Sequence, residues 1–220
     1  MRLKGSLERR VNAAQAERHA HPGAPVDLDQ QIQIAGEQRS VASFTSVELA
    51  GSADVNILLG DTQSVNVQAD DNILPLIETN VVNGRLVIRT RPGTSITSTN
   101  GVVVTVVVKS LQGVTLSGSG NMHVGAMSGP DLTVELTGSG DITVEGSVEH
   151  AAISMHGSGN ILCNGLKAHS ADVSLLGSGN ITAYADQSLN ATLSGSGTIR
   201  YDGNPAKVTK NITGSGTITP

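Results

Sequence analysis

Four carboxylates in the second half of the chain are the residues best suited to acid/base chemistry. They are Glu135, Asp141, Glu145 and Glu149. Pectin-degrading enzymes with a β-solenoid scaffold use carboxylates gathered on one outward face as acid and base. Here Glu135 and Glu145 belong to neighbouring segments, and Glu149 falls in a predicted turn. No pair of carboxylates recurs at the same position of the sequence repeat described below. With no Trp, one Phe and two Tyr to form sugar-binding platforms, the sequence predicts no catalytic residues.

The histidines could bind zinc only if three or four ligands converged on one point. The alternation of apolar and polar residues predicts outward positions for His123 and His156, in different repeats. His150 and His169 fall in predicted turns. We therefore expect no zinc site.

One polar residue, in most copies an amide or an acid, follows each of the glycine motifs described below. This column of residues raises the alternative of a calcium site. Its members are Asn121, Asp141, Asn160, Asn180, Thr198 and Thr217. Calcium usually takes several carboxylate oxygens, and Asp141 alone is charged here. The column is more typical of an amide ladder at a turn, in which each side chain satisfies backbone groups of the next repeat. Asp70 and Asp71 also indicate a turn, so the sequence predicts no metal site.

Cys163 and the Gly-Ser-Gly segments are the remaining candidates for covalent or phosphate chemistry. Cys163 has the same phase in its repeat as Val144 and Ala183, which predicts a small buried apolar residue. A single cysteine also excludes an internal disulfide. Gly-Ser-Gly lies between two strand patterns and no helix pattern follows it, so it is neither a nucleophile elbow nor a phosphate loop. We expect no cofactor.

Six copies of the Gly-Ser-Gly motif organise the second half of the chain. They begin at Gly118, Gly138, Gly157, Gly177, Gly195 and Gly214, at spacings of 20, 19, 20, 18 and 19 residues. Apolar and polar residues alternate on both sides of each motif, as in strands with one buried face. The four predicted inward columns are Val114, Val134, Ile153, Val173, Ala191 and Lys210; Leu116, Leu136, Met155, Leu175, Leu193 and Ile212; Met122, Ile142, Ile161, Ile181, Ile199 and Ile218; and Val124, Val144, Cys163, Ala183, Tyr201 and Pro220. Lys210 breaks the first column.

This repeat predicts an all-β fold, a right-handed parallel β-helix or β-solenoid with coils of about 19 residues. Each coil consists of a strand, a glycine corner, a second strand and a turn. One coil cannot bury its apolar face alone, so the coils must stack about 4.8 Å apart and place like residues over like. Glycine suits the corner because it adopts the required backbone angles at low cost.

The first half of the chain is less regular. Residues 1–40 are predicted to be a leader and linker, partly disordered or helical, with a charged helix pattern at Leu3–His19 and a linker at His21–Pro25. Residues 41–220 are predicted to form the solenoid domain, with an irregular β-rich part at 41–110 and the regular repeats at 111–220. Asn83-Gly84 predicts a hairpin, and the segment 51–57 looks like a degenerate copy of the later motif. The strand patterns of this half are Val41–Ala50, Val55–Leu59, Val65–Ala69, Val81–Val82, Leu86–Thr90 and Val102–Lys109.

Charge and hydropathy exclude two classes of partner. The net charge is −5 and no basic run forms a phosphate-binding stripe, so we expect no nucleic acid. The short basic stretch that contains Arg2, Lys4, Arg9 and Arg10 is predicted to be a solvated helix face. No segment is long and apolar enough to span a bilayer, and the first thirty residues show no apolar stretch of a secretory signal.

Several segments of residues 41–220 resemble one bacterial family, the putative auto-transporter adhesin, head GIN domain family. The matching segments are Phe44–Gly51, Asp54–Ile57 with Gly60-Asp61, Val65–Val67, Asp71–Leu74 and Gly84–Ile88, followed by the Gly-Ser-Gly repeats in the same order. The resemblance implies a β-helix-like fold, a non-enzymatic role and a periplasmic, outer-surface or secreted location. A leader for export is expected in this family, and none is visible here.

The main hypothesis is a non-enzymatic structural or adhesin-like interaction protein of the bacterial envelope, with a protein or glycan partner. Self-association through the edges of the solenoid is expected, since an unpaired strand edge recruits partners. Two alternatives stay open: a carbohydrate-binding or carbohydrate-active β-helix protein, and a cytoplasmic polymer-forming scaffold.

Overall fold

The computed structural model describes residues 33–94, 96 and 100–220, which contain seventeen strands and one 3₁₀ turn at Leu74–Leu76. All seventeen strands belong to one continuous sheet that winds into a β-solenoid of about five turns. The strands are β1 Ile34–Arg39, β2 Ser46–Gly51, β3 Asp54–Leu59, β4 Ser64–Asp70, β5 Ile77–Val82, β6 Arg85–Thr90, β7 Val103–Val108, β8 Gly113–Gly118, β9 Asn121–Gly138, β10 Asp141–Gly157, β11 Asn160–Leu162, β12 Leu166–Gly177, β13 Asn180–Tyr184, β14 Ser188–Gly195, β15 Thr198–Asp202, β16 Lys207–Gly214 and β17 Thr217–Thr219.

The six glycine motifs lie over one another, which confirms the predicted coil. Parallel pairing brings together the first glycines of successive motifs, from Gly118 to Gly214. The residues after each corner pair in the same way, as Ile142 does with Met122 and Ile161. One coil of sequence therefore advances the chain by one strand spacing, about 4.8 Å.

The predicted inward columns form a slender aliphatic core along the stack. Most of their members are buried, including Val134, Leu136, Ile142 and Val144. The last coil differs, because no described strand covers its outer side. There Ile212, predicted to point inward and be buried, is 44% exposed, and Lys210 and Pro220 are exposed as well.

Two glycines of each corner approach the coil below too closely for a Cβ, and the first of them also has a positive φ. Gly157 has φ of +146°, a conformation that side-chain-bearing residues rarely adopt. Gly159 has an ordinary φ, but a Cβ there would overlap the carbonyl oxygen of Gly140 in the coil below. The predicted conformational reason for glycine thus holds at the first position, and close backbone approach requires glycine at both positions.

The N-terminal half contains the first parallel coil and an antiparallel end. The segment predicted as a degenerate motif does stack on the repeats: β2 pairs with β8 and places Gly51 beside Gly118, and β3 pairs with β9. On their other side β2 and β3 pair with β6 and β7, which come later in the chain. Antiparallel pairings then follow, with β5 on β6, β4 on β7 and β1 on β4.

The strand predictions for this half are largely confirmed. The Asn83-Gly84 hairpin joins β5 to β6, with φ of 51° and 74° at the two turn residues, as a type I′ turn requires. The predicted strand Val41–Ala50 begins only at Ser46. Ile34–Arg39 lies in the segment assigned to leader and linker, yet it forms β1. The predicted leader helix and the linker at 21–25 lie outside the described residues.

Candidate functional site

Two adjacent cavities form a groove on the outward face of the coils. Their volumes are about 460 and 270 Å³. Asp172 and Asn190 line both, so we name the pair the Asp172 groove. The lining residues of the larger cavity are His150, Ser170, Ala171, Asp172, Ser188, Leu189, Asn190, Lys207 and Thr209, and those of the smaller one are Thr133, Glu135, Ala152, Ile153, Ser154, Asp172, Val173, Ser174, Asn190 and Thr192.

Strand alternation and parallel register position these side chains. Asp172 lies between the buried residues Ala171 and Val173 of β12, which fixes its side chain on the outer face. The register pairs Asp172 with Ala152 of β10 and with Asn190 of β14. Outward residues of successive coils therefore form columns along the stack, and the groove runs across them.

His150 lies between Ser170 and Asp172 at one wall of the groove, hydrogen-bonded to Ser170 and within ion-pair distance of Asp172. Its Nδ1 lies 3.1 Å from Ser170 Oγ and its Nε2 lies 3.4 Å from Asp172 Oδ2. The prediction that His150 falls in a turn is wrong, because it belongs to β10. The strand continues through this part of the coil, so residues 20 or 22 positions apart meet on neighbouring strands.

A Ser-His-Asp array has the residue types of acyl transfer, but the surrounding backbone does not suit that reaction. Acyl transfer needs free backbone N–H groups or other donors aimed at the developing oxyanion. From Ser170 to Gly177, β12 pairs with β10 on one side and β14 on the other, so its amides serve the sheet ladder. The array is better suited to hold a polar ligand than to cleave one.

A second cluster contains Glu149, His169 and Asp186. His169 Nδ1 lies 2.9 Å from Asp186 Oδ1, and His169 Nε2 lies 3.8 Å from Glu149 Oε2. Both Glu149 and His169 were predicted in turns, whereas the structure places them in β10 and β12. The hydrogen bond to Asp186 and the negative charges of Asp186 and Glu149 raise the pKa of His169.

This cluster predicts a small pH dependence of stability. A histidine whose pKa is raised on folding stabilises the fold fully below its unfolded pKa, about 6.5, and this stabilisation is lost as the pH rises through the folded pKa. His169→Gln should lower the melting temperature by about 2 °C or less at acidic pH and by less still above neutrality, since the site is exposed. Thermal melts across this pH range check it, with the exposed His156→Gln as control. Equal pH profiles for wild type and His169→Gln would contradict it.

The Asn and Asp column forms the predicted ladder, but through different bonds. Asn121 Nδ2 donates to Asp54 Oδ1 at 2.7 Å, Asn160 Nδ2 to Asp141 Oδ1 at 2.8 Å, and Asn180 Nδ2 to Asn160 Oδ1 at 3.0 Å. The side chains thus bond one another. Backbone carbonyls of the preceding coil accept from the backbone amides here, for example from Asp141 N to Gly120 O at 3.2 Å.

The described residues contain no group of three His, Cys, Asp or Glu side chains that could hold a metal ion. In the second cluster the two carboxylates contact opposite nitrogens of His169, so they do not converge on one point. At Asp70-Asp71 the predicted turn is confirmed: Ile73 N donates to Asp70 O, and Asn72 N donates to Asp71 Oδ1, each at 2.8 Å.

Cys163 is fully buried in its inward column, as predicted. Burial raises the pKa of its thiol to about 12, so the reactive thiolate is scarce near neutral pH. We expect negligible labelling by a disulfide reagent in the native state and complete labelling after denaturation, followed by absorbance. Leu162→Cys in a Cys163→Ala background is the control, because Leu162 is 39% exposed and a thiol there should react at once. Rapid labelling of native Cys163 would contradict its burial.

The Asp172 groove does not follow from the inward columns, but the sequence carries a signal for it. Thr133, Ala152, Asp172, Asn190 and Thr209 occupy the same phase of the repeat. Alignment of the repeats by their outward positions places these residues in one column.

The chain matches one known protein family. The family model of the putative auto-transporter adhesin, head GIN domain matches residues 43–205. The search of curated proteins finds no match. Within the described residues no helix is long and apolar enough to cross a bilayer.

Solved structures share the fold. A putative adhesin from Bacteroides fragilis is 22% identical with a TM-score of 0.71, over 85% of this chain and 96% of that one. A putative adhesin from Parabacteroides merdae is 19% identical with a TM-score of 0.56, over 85% and 95% of the two chains. A putative lipid binding protein from Parabacteroides distasonis is 24% identical with a TM-score of 0.51, over 84% and 96%. Since the family model spans well over half of the sequence, the chain belongs to the putative auto-transporter adhesin, head GIN domain family.

Proposed function

We propose that this protein is a non-enzymatic, adhesin-like interaction module of the bacterial envelope or cell surface. The observation that carries the proposal is the Asp172 groove, a surface of mixed polar and apolar character lined mainly by outward side chains of successive coils. The strands β9, β10, β12 and β14, which carry most of these side chains, are hydrogen-bonded on both sides and hold them in fixed positions. Such preorganisation reduces the entropy cost of binding.

Carboxylate spacing supports binding over glycoside hydrolysis. Glu135 and Asp172 both line the smaller cavity, but they belong to coils two steps apart in the stack. Their backbones are thus about 10 Å apart along the stack alone. Retaining glycosidases hold their carboxyl groups about 5.5 Å apart and inverting ones about 9.5 Å apart at most, so the backbone separation of Glu135 and Asp172 exceeds both carboxyl spacings.

The proposal is tested by adhesion and by location. Beads coated with the purified protein should bind bacterial or host-cell surfaces saturably, and excess soluble protein should compete. Fractionation of the native host cells should find the protein in the periplasm, at the outer surface or in the medium. A cytoplasmic location would favour the polymer-forming scaffold, and an absence of saturable adhesion to every surface would count against the interaction role.

Self-association through the solenoid edge stays a prediction, and Lys210 should limit it. Lys210 occupies an inward position of β16. Its ammonium group donates a hydrogen bond to Ile218 O at 3.2 Å and lies 4.7 Å from the centre of the Tyr201 ring. Another copy stacked on β16 would bury this charge, and inward-pointing lysines are a known protection of strand edges.

Lys210→Val should therefore increase association between copies of the chain. Sedimentation velocity over a range of concentrations should show a larger sedimentation coefficient for this variant than for wild type. Lys207→Val is the matched control, since it makes the same change on β16 at a position in an outward column. Equal behaviour of the two variants would contradict a guarding role for Lys210.

A further inference from the structure

The Asp172 groove has the lining of a glycan site, and this inference rests on the proposed function. We propose that it binds an uncharged, hydroxyl-rich polysaccharide that lies along the stack of coils. Contact with the ligand is made mainly by side chains, because the backbones of β10, β12 and β14 are hydrogen-bonded within the sheet on both sides.

The lining offers hydrogen-bond donors and acceptors side by side. Hydroxyl groups act in both roles, as does the side-chain amide of Asn190. Asn190 lies where the two cavities meet, so a ligand that fills both must pass over it. The hydroxyl-bearing residues are Ser170, Ser188 and Thr209 in the larger cavity and Thr133, Ser154, Ser174 and Thr192 in the smaller one. A polyol, whose hydroxyls also donate and accept, is the complementary ligand.

The charges of the groove disfavour a strongly ionic ligand. Asp172 Oδ2 lies 3.4 Å from His150 Nε2, and Glu135 accepts a hydrogen bond from Thr115 Oγ1 at 3.3 Å. Lys207 contributes a positive charge at the other end of the groove. Both signs are present, and the net charge of −5 opposes the approach of polyanions.

The repeat of the coils favours a polymer over a single sugar. Outward columns present similar polar groups at intervals of about 4.8 Å, so an extended chain can contact several coils at once. No aromatic residue lines either cavity to supply a large stacking contribution. Each sugar is therefore held weakly, and affinity must come from several simultaneous contacts.

Affinity electrophoresis tests this proposal directly. The purified protein is run through native gels that contain a neutral polysaccharide (a β-glucan, a mannan or a xylan) or a polyanion (alginate or heparin). At least one neutral polymer should retard it, equally at low and high salt, because hydrogen bonds between uncharged groups are screened little. The double variant Asp172→Asn/Asn190→Ala should weaken that retardation about tenfold.

The matched control is Asn164→Ala/Asp202→Asn, which makes the same two changes outside the groove and should bind as wild type does. Thermal melts confirm that both double variants are folded. Retardation by no neutral polymer, retardation only by polyanions at low salt, or equal binding by the two double variants would each overturn the glycan site. Saturable bead adhesion with no polysaccharide binding would overturn this inference and leave the proposed function standing.

Discussion

Replacing Gly159 with alanine should destabilise the solenoid by at least about 3 kcal/mol. The added Cβ would overlap the carbonyl oxygen of Gly140 and approach Leu136 Cδ2 to 2.8 Å. Neither neighbour can move freely. The Gly140 carbonyl accepts a hydrogen bond from Asn160 N at 3.2 Å, and Leu136 is buried in the core. The clash must therefore separate two coils or distort both.

Urea denaturation followed by circular dichroism measures this effect as a lower midpoint. Gly125→Ala is the control, because a Cβ at Gly125 would lie 3.4 Å from Leu58 Cδ2 and 3.7 Å from His123 Nε2, which are ordinary contacts. That variant should change stability by about 0.5 kcal/mol or less. Equal losses in the two variants would mean that close approach of the coils at the corner does not explain the glycine.

Ile161→Ala should cost about 3 kcal/mol, within the usual range for deleting a large buried aliphatic side chain. Ile161 is fully buried and pairs with Ile142 below and Ile181 above. Truncation leaves a cavity in the middle of the slender core. The rigid ladders on both sides prevent the coils from closing it.

The neighbouring residue provides the control for this substitution. Leu162 follows Ile161 on the same strand but points outward and is 39% exposed, so Leu162→Ala should cost about 1 kcal/mol or less. Chemical denaturation of both variants gives the comparison. A loss at Leu162 that equals the loss at Ile161 would contradict the predicted inward column.

The coil could be predicted from the sequence because its determinants repeat. The Gly-Ser-Gly motif fixes the corner, and alternation fixes which residues point inward, so Leu136, Met155 and Leu175 fall in one buried column. The Asn83-Gly84 hairpin was predictable for a local reason, since its turn type needs positive φ at both central residues.

Other features depend on contacts that no local pattern encodes. The β1 segment Ile34–Arg39 contains no buried residue and becomes a strand because it pairs with β4. In the stacking order of the first coils, β6 and β7 lie outside β2 and β3. The strands have similar aliphatic patterns, so alternation alone does not determine this order.

The two histidine clusters were mispredicted for a related reason. The segments around His150 and His169 contain polar residues that suggest turns, but both are drawn into long strands by parallel pairing. Once the register is known, His150 must meet Ser170, and His169 must lie beside Glu149. The Asp172 groove depends on the same register, which is why it emerges only when the coils are stacked.

Spin-label distances along one outward column test the stacking most directly. His123, Thr182, Arg200 and Thr219 belong to such a column, and Thr182, Arg200 and Thr219 lie three, four and five coils from His123. With nitroxides on cysteines introduced in a Cys163→Ala background, pulsed electron resonance should give separations from position 123 of about 14, 19 and 24 Å, before allowance for the label arms. Equal steps of about 4.8 Å per coil are the predicted result. Distances that do not rise in regular steps would contradict the stacked solenoid.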